Sequence, residues 1–439
     1  MKTKLLYFGF FLFAFSLIAQ QKSNLVSGKR WQHIHFKFIN NLIILPLEIN
    51  GVQGDFILDT GVRGNIIFLG ENQNFHINDS LKEVKLRGFG YGDPIPAFVS
   101  VGNTISYKRM ELKNKNFFLL KDDKLNFSAK TGIAIHGLIG SDFFRNNVVK
   151  IDYKSKKLTV YDRSYFYKKK FKEDKVKSVP LVFHNEKPYL QGKVQIHESD
   201  STDVPVKLLI DTGGTDALWL FKDASKFQTL PPKYFTDFLG ESLTGSLHGD
   251  KSRIENFEFG GYSFGNPIVS FLNEDVAERA KKIKGRSGTV GAGILKRFTV
   301  WFDYRLQKMY LKKNSDYRDA FYYNMSGLEI NYNGSVMVLE FLQNGRTTLE
   351  NGQTISLGYY FALKPSYVIA NVRKGSPGDL GGLKEGDVLL EIDGIPVHEK
   401  SYADIIEHFY EKKNKNVDLL IERNDEELLF EFQLVDELD

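Results

Sequence analysis

The chain of 439 residues contains no cysteine. That absence excludes thiol nucleophiles, disulfide staples, cysteine-ligated zinc and lipid attachment through a cysteine. Proline is sparse, with 12 residues against 38 glycines, so long polyproline spacers are excluded as well. Neither sign of charge dominates: 59 Lys and Arg against 54 Asp and Glu leave a net charge of +5. The basic residues are scattered or held in short runs such as Lys168-Lys169-Lys170, so the sequence carries no footprint of a nucleic-acid binder. Nine histidines include no His-Glu-x-x-His pair, which removes that route to zinc hydrolysis. No metal and no organic cofactor is implied.

Long apolar runs are also missing, apart from one at the N-terminus. Lys2 and Lys4 precede an apolar stretch from Leu5 to Ile18, with Ala19 before Gln20-Gln21 as the cleavage point. This stretch is short for a membrane span and reads as a signal peptide over residues 1–20. The expectation is export to the periplasm or cell envelope of a bacterium, or secretion. A membrane attachment follows only if the segment stays uncleaved.

What is abundant is aromatic: 36 Phe and 21 Tyr, which suit β-rich architecture. The length suggests roughly three domains. Two short runs then organise the chain, Phe56-Ile57-Leu58-Asp59-Thr60-Gly61 and Leu208-Leu209-Ile210-Asp211-Thr212-Gly213, with their aspartates 152 residues apart. Each is an apolar strand ending in Asp-Thr-Gly. Downstream, Gly137-Leu138-Ile139-Gly140 and Val149-Lys150-Ile151-Asp152-Tyr153-Lys154 recur as Gly288-Thr289-Val290-Gly291 and Val300-Trp301-Phe302-Asp303-Tyr304-Arg305, at an offset of 151. With Lys157-Leu158 recurring as Lys308-Met309, four features in one order at nearly constant spacing mark a duplicated unit. The halves run over 31–163 and 178–313, all-β in pattern, joined by a charged connector at Lys168 to Lys175. A helix is expected over Glu274 to Ile283.

After Asn314 the pattern changes. Ser326-Gly327-Leu328-Glu329-Ile330 is followed by a weakly patterned stretch, then by Gly382-Leu383-Lys384-Glu385-Gly386-Asp387-Val388-Leu389 and Ile392-Asp393-Gly394. A helix beginning at Ser401 places Tyr402, Ile405, Ile406 and Phe409 on one face.

These motifs resemble two known families. The two halves resemble retropepsin-like and pepsin-like aspartic proteases in single-chain form, and the tail over 325–436 resembles a PDZ domain. The resemblance implies an all-β fold, a duplicated double-lobed acid-protease β-barrel, followed by a small α+β PDZ domain. It makes Asp59 and Asp211 the catalytic pair, braced by Thr60 and Thr212, with Gly61 and Gly213 allowing the tight turn beneath the carboxylates. Leu138-Ile139-Gly140 and Thr289-Val290-Gly291 thread behind these loops, Thr289 being polar where the motif is usually apolar. Arg63, four positions past Asp59, is unusual for the family and is expected to point outward.

The chemistry explains the residue types. Two carboxylates within hydrogen-bonding reach share one proton, since both cannot ionise cheaply. The ionised member draws a proton from water while the protonated one donates to the scissile carbonyl. Gly88-Phe89-Gly90-Tyr91-Gly92 is the candidate flap, with Leu243 to Gly249 in the matching place of the second half. In the PDZ-like tail, Ser326-Gly327-Leu328-Glu329-Ile330 is the carboxylate loop, flanked by the Ser401 to Phe409 helix, for a peptide added as a strand or held by its C-terminus.

Gly261-Tyr262-Ser263-Phe264-Gly265 matches a serine nucleophile elbow, but the Asn266-Pro267 that follows argues for a hairpin rather than strand-turn-helix. The sequence therefore reads as an exported aspartic endopeptidase acting on peptide or protein substrates. The alternative is a catalytically inactive peptide-binding scaffold of the same fold.

Overall fold

A computed structural model describes residues 25, 29–70, 75–77, 82–88, 92–121, 127–168, 175–200, 203–222, 227, 230–242, 245–273, 285–341, 346–348, 354–356, 359–410 and 413–439. The helix expected over 274–283 lies outside these residues.

Sequence pattern and burial agree strand by strand. Leu42–Ile49 reads LIILPLEI and is buried over nearly its whole length. A near-continuous apolar run of this kind marks a strand covered on both faces. In the first half it lies second in an eight-stranded sheet ordered Lys37–Ile39, Leu42–Ile49, Val52–Leu58, Gly137–Ile139, Asn65–Phe68, Met110–Leu120, Ile95–Tyr107, Lys82–Leu86. Val52–Leu58 is the strand that delivers Asp59.

The second half repeats the plan in a ten-stranded sheet in which Val204–Ile210 delivers Asp211. In each half the delivering strand pairs in parallel with the strand after the repeat's glycine. Leu58 lies opposite Ile139, and Ile210 opposite Val290. The Asp59 amide donates to the Ile139 carbonyl at 2.9 Å and the Asp211 amide to the Val290 carbonyl at 3.0 Å. Both aspartates are thus fixed at the end of a buried parallel pair. The polar Thr289 is accommodated, since its Oγ1 accepts a hydrogen bond from Arg286 at 2.9 Å.

A third sheet of six strands joins the halves. Its two central strands, Val148–Asp152 and Phe298–Asp303, are equivalent in the repeat and pair antiparallel. Val149 faces Phe302 and Ile151 faces Val300, the reciprocal register that an approximate twofold axis imposes. One contiguous apolar core runs through both halves and this sheet into the C-terminal unit.

The C-terminal sheet is ordered Leu328–Phe341, Tyr359–Val372, Val388–Ile392, Asn416–Arg423, Glu426–Gln433. Helix Tyr402–His408 packs Tyr402 and Ile405 inward and starts with a capping box, in which Ser401 and Asp404 each satisfy the other's main-chain amide. The stretch read as weakly patterned holds a long two-stranded arm formed by the outer parts of the first two strands. Met337, Leu339, Phe361 and Leu363 are exposed on it.

This unit docks on hairpin Tyr234–Ser242/Gly245–Arg253 of the second half. Arg373 stacks on Phe235 at 3.9 Å, lies 3.8 Å from Asp237 and forks onto Glu437. Within the hairpin Lys251 holds Asp237 at 2.9 Å, and across the seam Arg253 meets Asp436 at 2.7 Å.

Candidate active site

The two Asp-Thr-Gly loops come together at the junction of the halves. Both threonines are buried, and each side chain reaches across to the other loop. Thr60 Oγ1 accepts the Thr212 amide at 3.0 Å and donates to the Ile210 carbonyl at 2.8 Å. Thr212 Oγ1 accepts the Thr60 amide at 3.1 Å and donates to the Leu58 carbonyl at 2.7 Å. Four reciprocal bonds in a dry interface leave the loops little freedom to move apart.

The glycines are where the loops meet the opposite carboxylate. A Cβ on Gly61 would stand 2.7 Å from Asp211 Oδ2, and one on Gly213 would stand 2.6 Å from Asp59 Cγ. Any larger residue would push the carboxylates out of place. Gly61 and Val62 amides donate to Asp59 Oδ1 at 2.7 and 3.2 Å, and the Gly213 amide to Asp211 Oδ1 at 2.9 Å. Each carboxyl is therefore held by its own loop through Oδ1.

Burial first, then the charge of Asp211 and a hydrogen bond with it, hold the Asp59 carboxyl well above the usual carboxylate range. This is the behaviour of two acids sharing one proton, and the titration belongs to the pair.

Lys187, which sequence reasoning missed, opens strand Lys187–Gln195. The register of that strand with Val204–Ile210, Tyr189 opposite Leu209, projects Lys187 toward the position of Asp211. Burial pushes its ammonium down, while Asp59 pulls it up and Asp211 adds to that pull. The signal was a lysine just before an apolar strand, at the turn of a hairpin whose partner strand ends in Asp-Thr-Gly. Arg63 points outward, as expected, and its Nε donates to Glu186 at 3.2 Å.

Of the flap residues, Gly88 and Gly92 follow and precede the paired strands Lys82–Leu86 and Ile95–Tyr107. Phe89, Gly90 and Tyr91 lie outside the described residues. Gly92 is exposed and meets the matching hairpin of the second half, since a Cβ on Gly245 would come 3.9 Å from its nitrogen. The described edges of the two hairpins thus approach each other.

The loop from Ser326 to Ile330 sits otherwise than as an open cradle. The Ser326 amide donates to Asn324 Oδ1 at 3.0 Å and the Leu328 amide to Ser326 Oγ at 3.1 Å. Gly327, at φ +74°, presses on Ser376, and its carbonyl accepts the Arg373 amide at 2.8 Å. Leu328 and Ile330 point into the core. Tyr402 donates from its hydroxyl to the Ile330 carbonyl at 2.7 Å, closing the strand edge against the helix. Lys130, from helix Phe127–Thr131 of the first half, pairs with Glu329 at 3.1 Å. A peptide added here must displace both contacts.

The serine-elbow match is part of a β-hairpin. Tyr262–Gly265 pairs antiparallel with Asn256–Phe259 around Gly260 and Gly261, and Ser263 Oγ donates to Asn256.

Comparisons with known proteins bear on both parts. Residues 368–423 match the family model of the PDZ domain. A PDZ domain therefore lies near the C-terminus, its matched part beginning after the long arm. Among solved structures, the chain is similar to the aspartic proteinase from Irpex lacteus. The identity is 10%, covering 66% of this chain and 99% of that one, with a TM-score of 0.41. A likeness that distant carries no residue roles, and the site stands on its own geometry.

Proposed function

We propose that this protein is an aspartic endopeptidase. The observation that carries the reading is the pair of Asp-Thr-Gly loops locked by reciprocal threonine bonds, which presses two carboxyls together so that the pair holds one proton. In that arrangement the ionised carboxylate takes a proton from a bound water, and the protonated carboxyl donates to the carbonyl oxygen of the scissile amide. No covalent intermediate is needed. The two glycine-bearing hairpins cover the cleft and exclude bulk water. The PDZ domain supports a reading in which peptide or protein segments are bound beside the cleft, by strand addition or through a chain terminus. The N-terminal segment supports action outside the cytoplasm, in the periplasm or cell envelope.

The test is substitution of each aspartate in turn. Asp59→Asn and Asp211→Asn each lower kcat against a peptide library by at least about 100-fold, the scale of general acid–base catalysis. Unchanged turnover in either variant overturns the reading.

A further inference from the structure

The duplication that matches the catalytic loops also matches two pockets beside the interlobe sheet. The first has a volume of about 480 Å³ and is lined by Arg145, Arg163, Arg305, Glu186, Phe183 and Tyr304 among others. The second, about 910 Å³, includes Phe38, Tyr153, Lys154, Lys296 and Asp316. The 151-residue offset relates Tyr153 to Tyr304, Lys154 to Arg305 and Arg145 to Lys296. The contacts repeat as well. Phe38 meets Tyr153 edge-on at 5.4 Å and Phe183 meets Tyr304 at 4.6 Å. The Asn314 side chain donates to the Lys296 carbonyl, as Arg163 donates to the Arg145 carbonyl.

Besides size, the two pockets differ in how the matched Lys154 and Arg305 are answered. In the second, the chain supplies its own carboxylate: Asp316, two residues past Asn314, pairs with Lys154 at 2.8 Å. The matching position in the first half is Tyr165, which stacks on Trp31 at 5.3 Å and brings no charge. The first pocket therefore lacks that one carboxylate: Glu186 in its lining answers Arg145, and the position that would answer Arg305 is neutral. Arg305 is exposed and forms no ion pair among the described residues. Its charge acts against Arg163, whose own charge is supported by Tyr167, Asp303 and Asp162. Arg163 Nε and the Tyr304 hydroxyl are buried without a hydrogen-bond partner.

The acids nearby are already engaged. Glu186 accepts from Arg63 and Arg145, and Asp142 from Lys115 at 2.7 Å. Asp162 takes the Tyr165 amide at 3.1 Å and the Ser164 hydroxyl. Asp303 takes the Tyr167 hydroxyl at 2.7 Å and the Leu306 amide at 3.2 Å.

We propose that this pocket is a carboxylate-binding site for a polypeptide ligand. The carboxylate seats between Arg163 and Arg305, in the place that Asp316 takes beside Lys154 in the repeat. Planar guanidinium groups match a carboxylate's two oxygens, so the site selects an acidic side chain or a free chain terminus over neutral groups. The proposal does not rest on the peptidase reading.

The test measures fluorescence anisotropy of labelled peptides on the full chain carrying Asp211→Asn, which prevents consumption of the probe. One peptide bears Glu with an amidated end, one bears Gln with a free terminus, and one bears Gln with an amidated end. Binding of the first identifies the side chain as the source, and binding of the second the terminus. Arg305→Gln and Arg163→Gln each weaken that binding by about tenfold or more, as expected for loss of a charge-assisted hydrogen bond. Lys154→Gln, in the pocket already filled by Asp316, leaves it unchanged. Equal binding of the neutral peptide, no binding of either carboxylate peptide, or indifference to Arg305→Gln overturns the proposal. Arg305 is exposed, so its variant folds and keeps the test decisive.

Discussion

At the scale of single residues, the site depends on hydroxyls and on one proton. Thr60→Val keeps the shape but deletes both bonds of the hydroxyl, leaving the Thr212 amide and the Ile210 carbonyl unpaired in a buried interface. Each orphaned group costs about 1–3 kcal/mol, so the variant loses roughly 2–6 kcal/mol in a urea titration. Thr60→Ser restores most of that, which separates the hydroxyl from mere packing. The proton gives a pH signature. Burial, then the Asp211 charge, raises the Asp59 carboxyl, so the folded state binds that proton more tightly than the unfolded chain. The associated stability is complete below the ordinary carboxylate pKa of about 4 and is lost as pH climbs toward the raised value. Asp59→Asn removes this loss. By calorimetry, its Tm matches the wild type near pH 4 and exceeds it by a margin that grows toward pH 8. A margin independent of pH would show that the two carboxyls share no proton.

At the scale of elements, what could be read from sequence was what is local and repeated. Asp59-Thr60-Gly61 and its copy need only a strand end and a turn, and the 151–152 spacing carried the rest. Lys187 escaped notice because its meaning lies in the register between two strands, which no window of neighbouring residues contains. The arm formed by Leu328–Phe341 and Tyr359–Val372 looked unpatterned for a related reason: it exposes Met337, Leu339, Phe361 and Leu363, so alternation of buried and exposed residues never developed. The Ser401 to Phe409 helix was legible because its capping box and apolar spacing are written in adjacent residues. Its Tyr402 bond to the Ile330 carbonyl was not. That bond yields a prediction for the proposed strand addition. Tyr402→Phe costs about 1 kcal/mol of stability but frees the strand edge, so extended peptides bind the PDZ unit more tightly. Anisotropy titration reads the change, and an unaltered affinity would place peptide binding elsewhere.

At the scale of the whole molecule, the PDZ unit and the second half are held together by charge in a poorly hydrated seam. The Lys251 side chain is 9% exposed and that of Asp237 19%, with 2.9 Å between their charged atoms. Burial alone pushes the Lys251 ammonium down, and Asp237, with Asp216 and Tyr410, more than reverses this. Asp237 also faces Arg373, which stacks on Phe235 of the same hairpin. Removing the acid while the cations stay buried is the costly way to break such a network, at about 3–5 kcal/mol. Asp237→Asn should therefore loosen the PDZ unit before it unfolds either half. Wild type melts in one cooperative transition, since a single apolar core spans all parts. The variant shows two, the first belonging to residues beyond about 325, and trypsin cuts it sooner between Lys313 and Arg373. The same hairpin reaches Gly92 of the first half through Gly245, so its release also reaches the hairpin we propose as the cleft cover. A rise in KM with kcat held steady is the expected kinetic consequence, because the cover loses its rest while the threonine-braced aspartates keep theirs. A fall in kcat alone would mean that the seam acts on the dyad rather than on access to it.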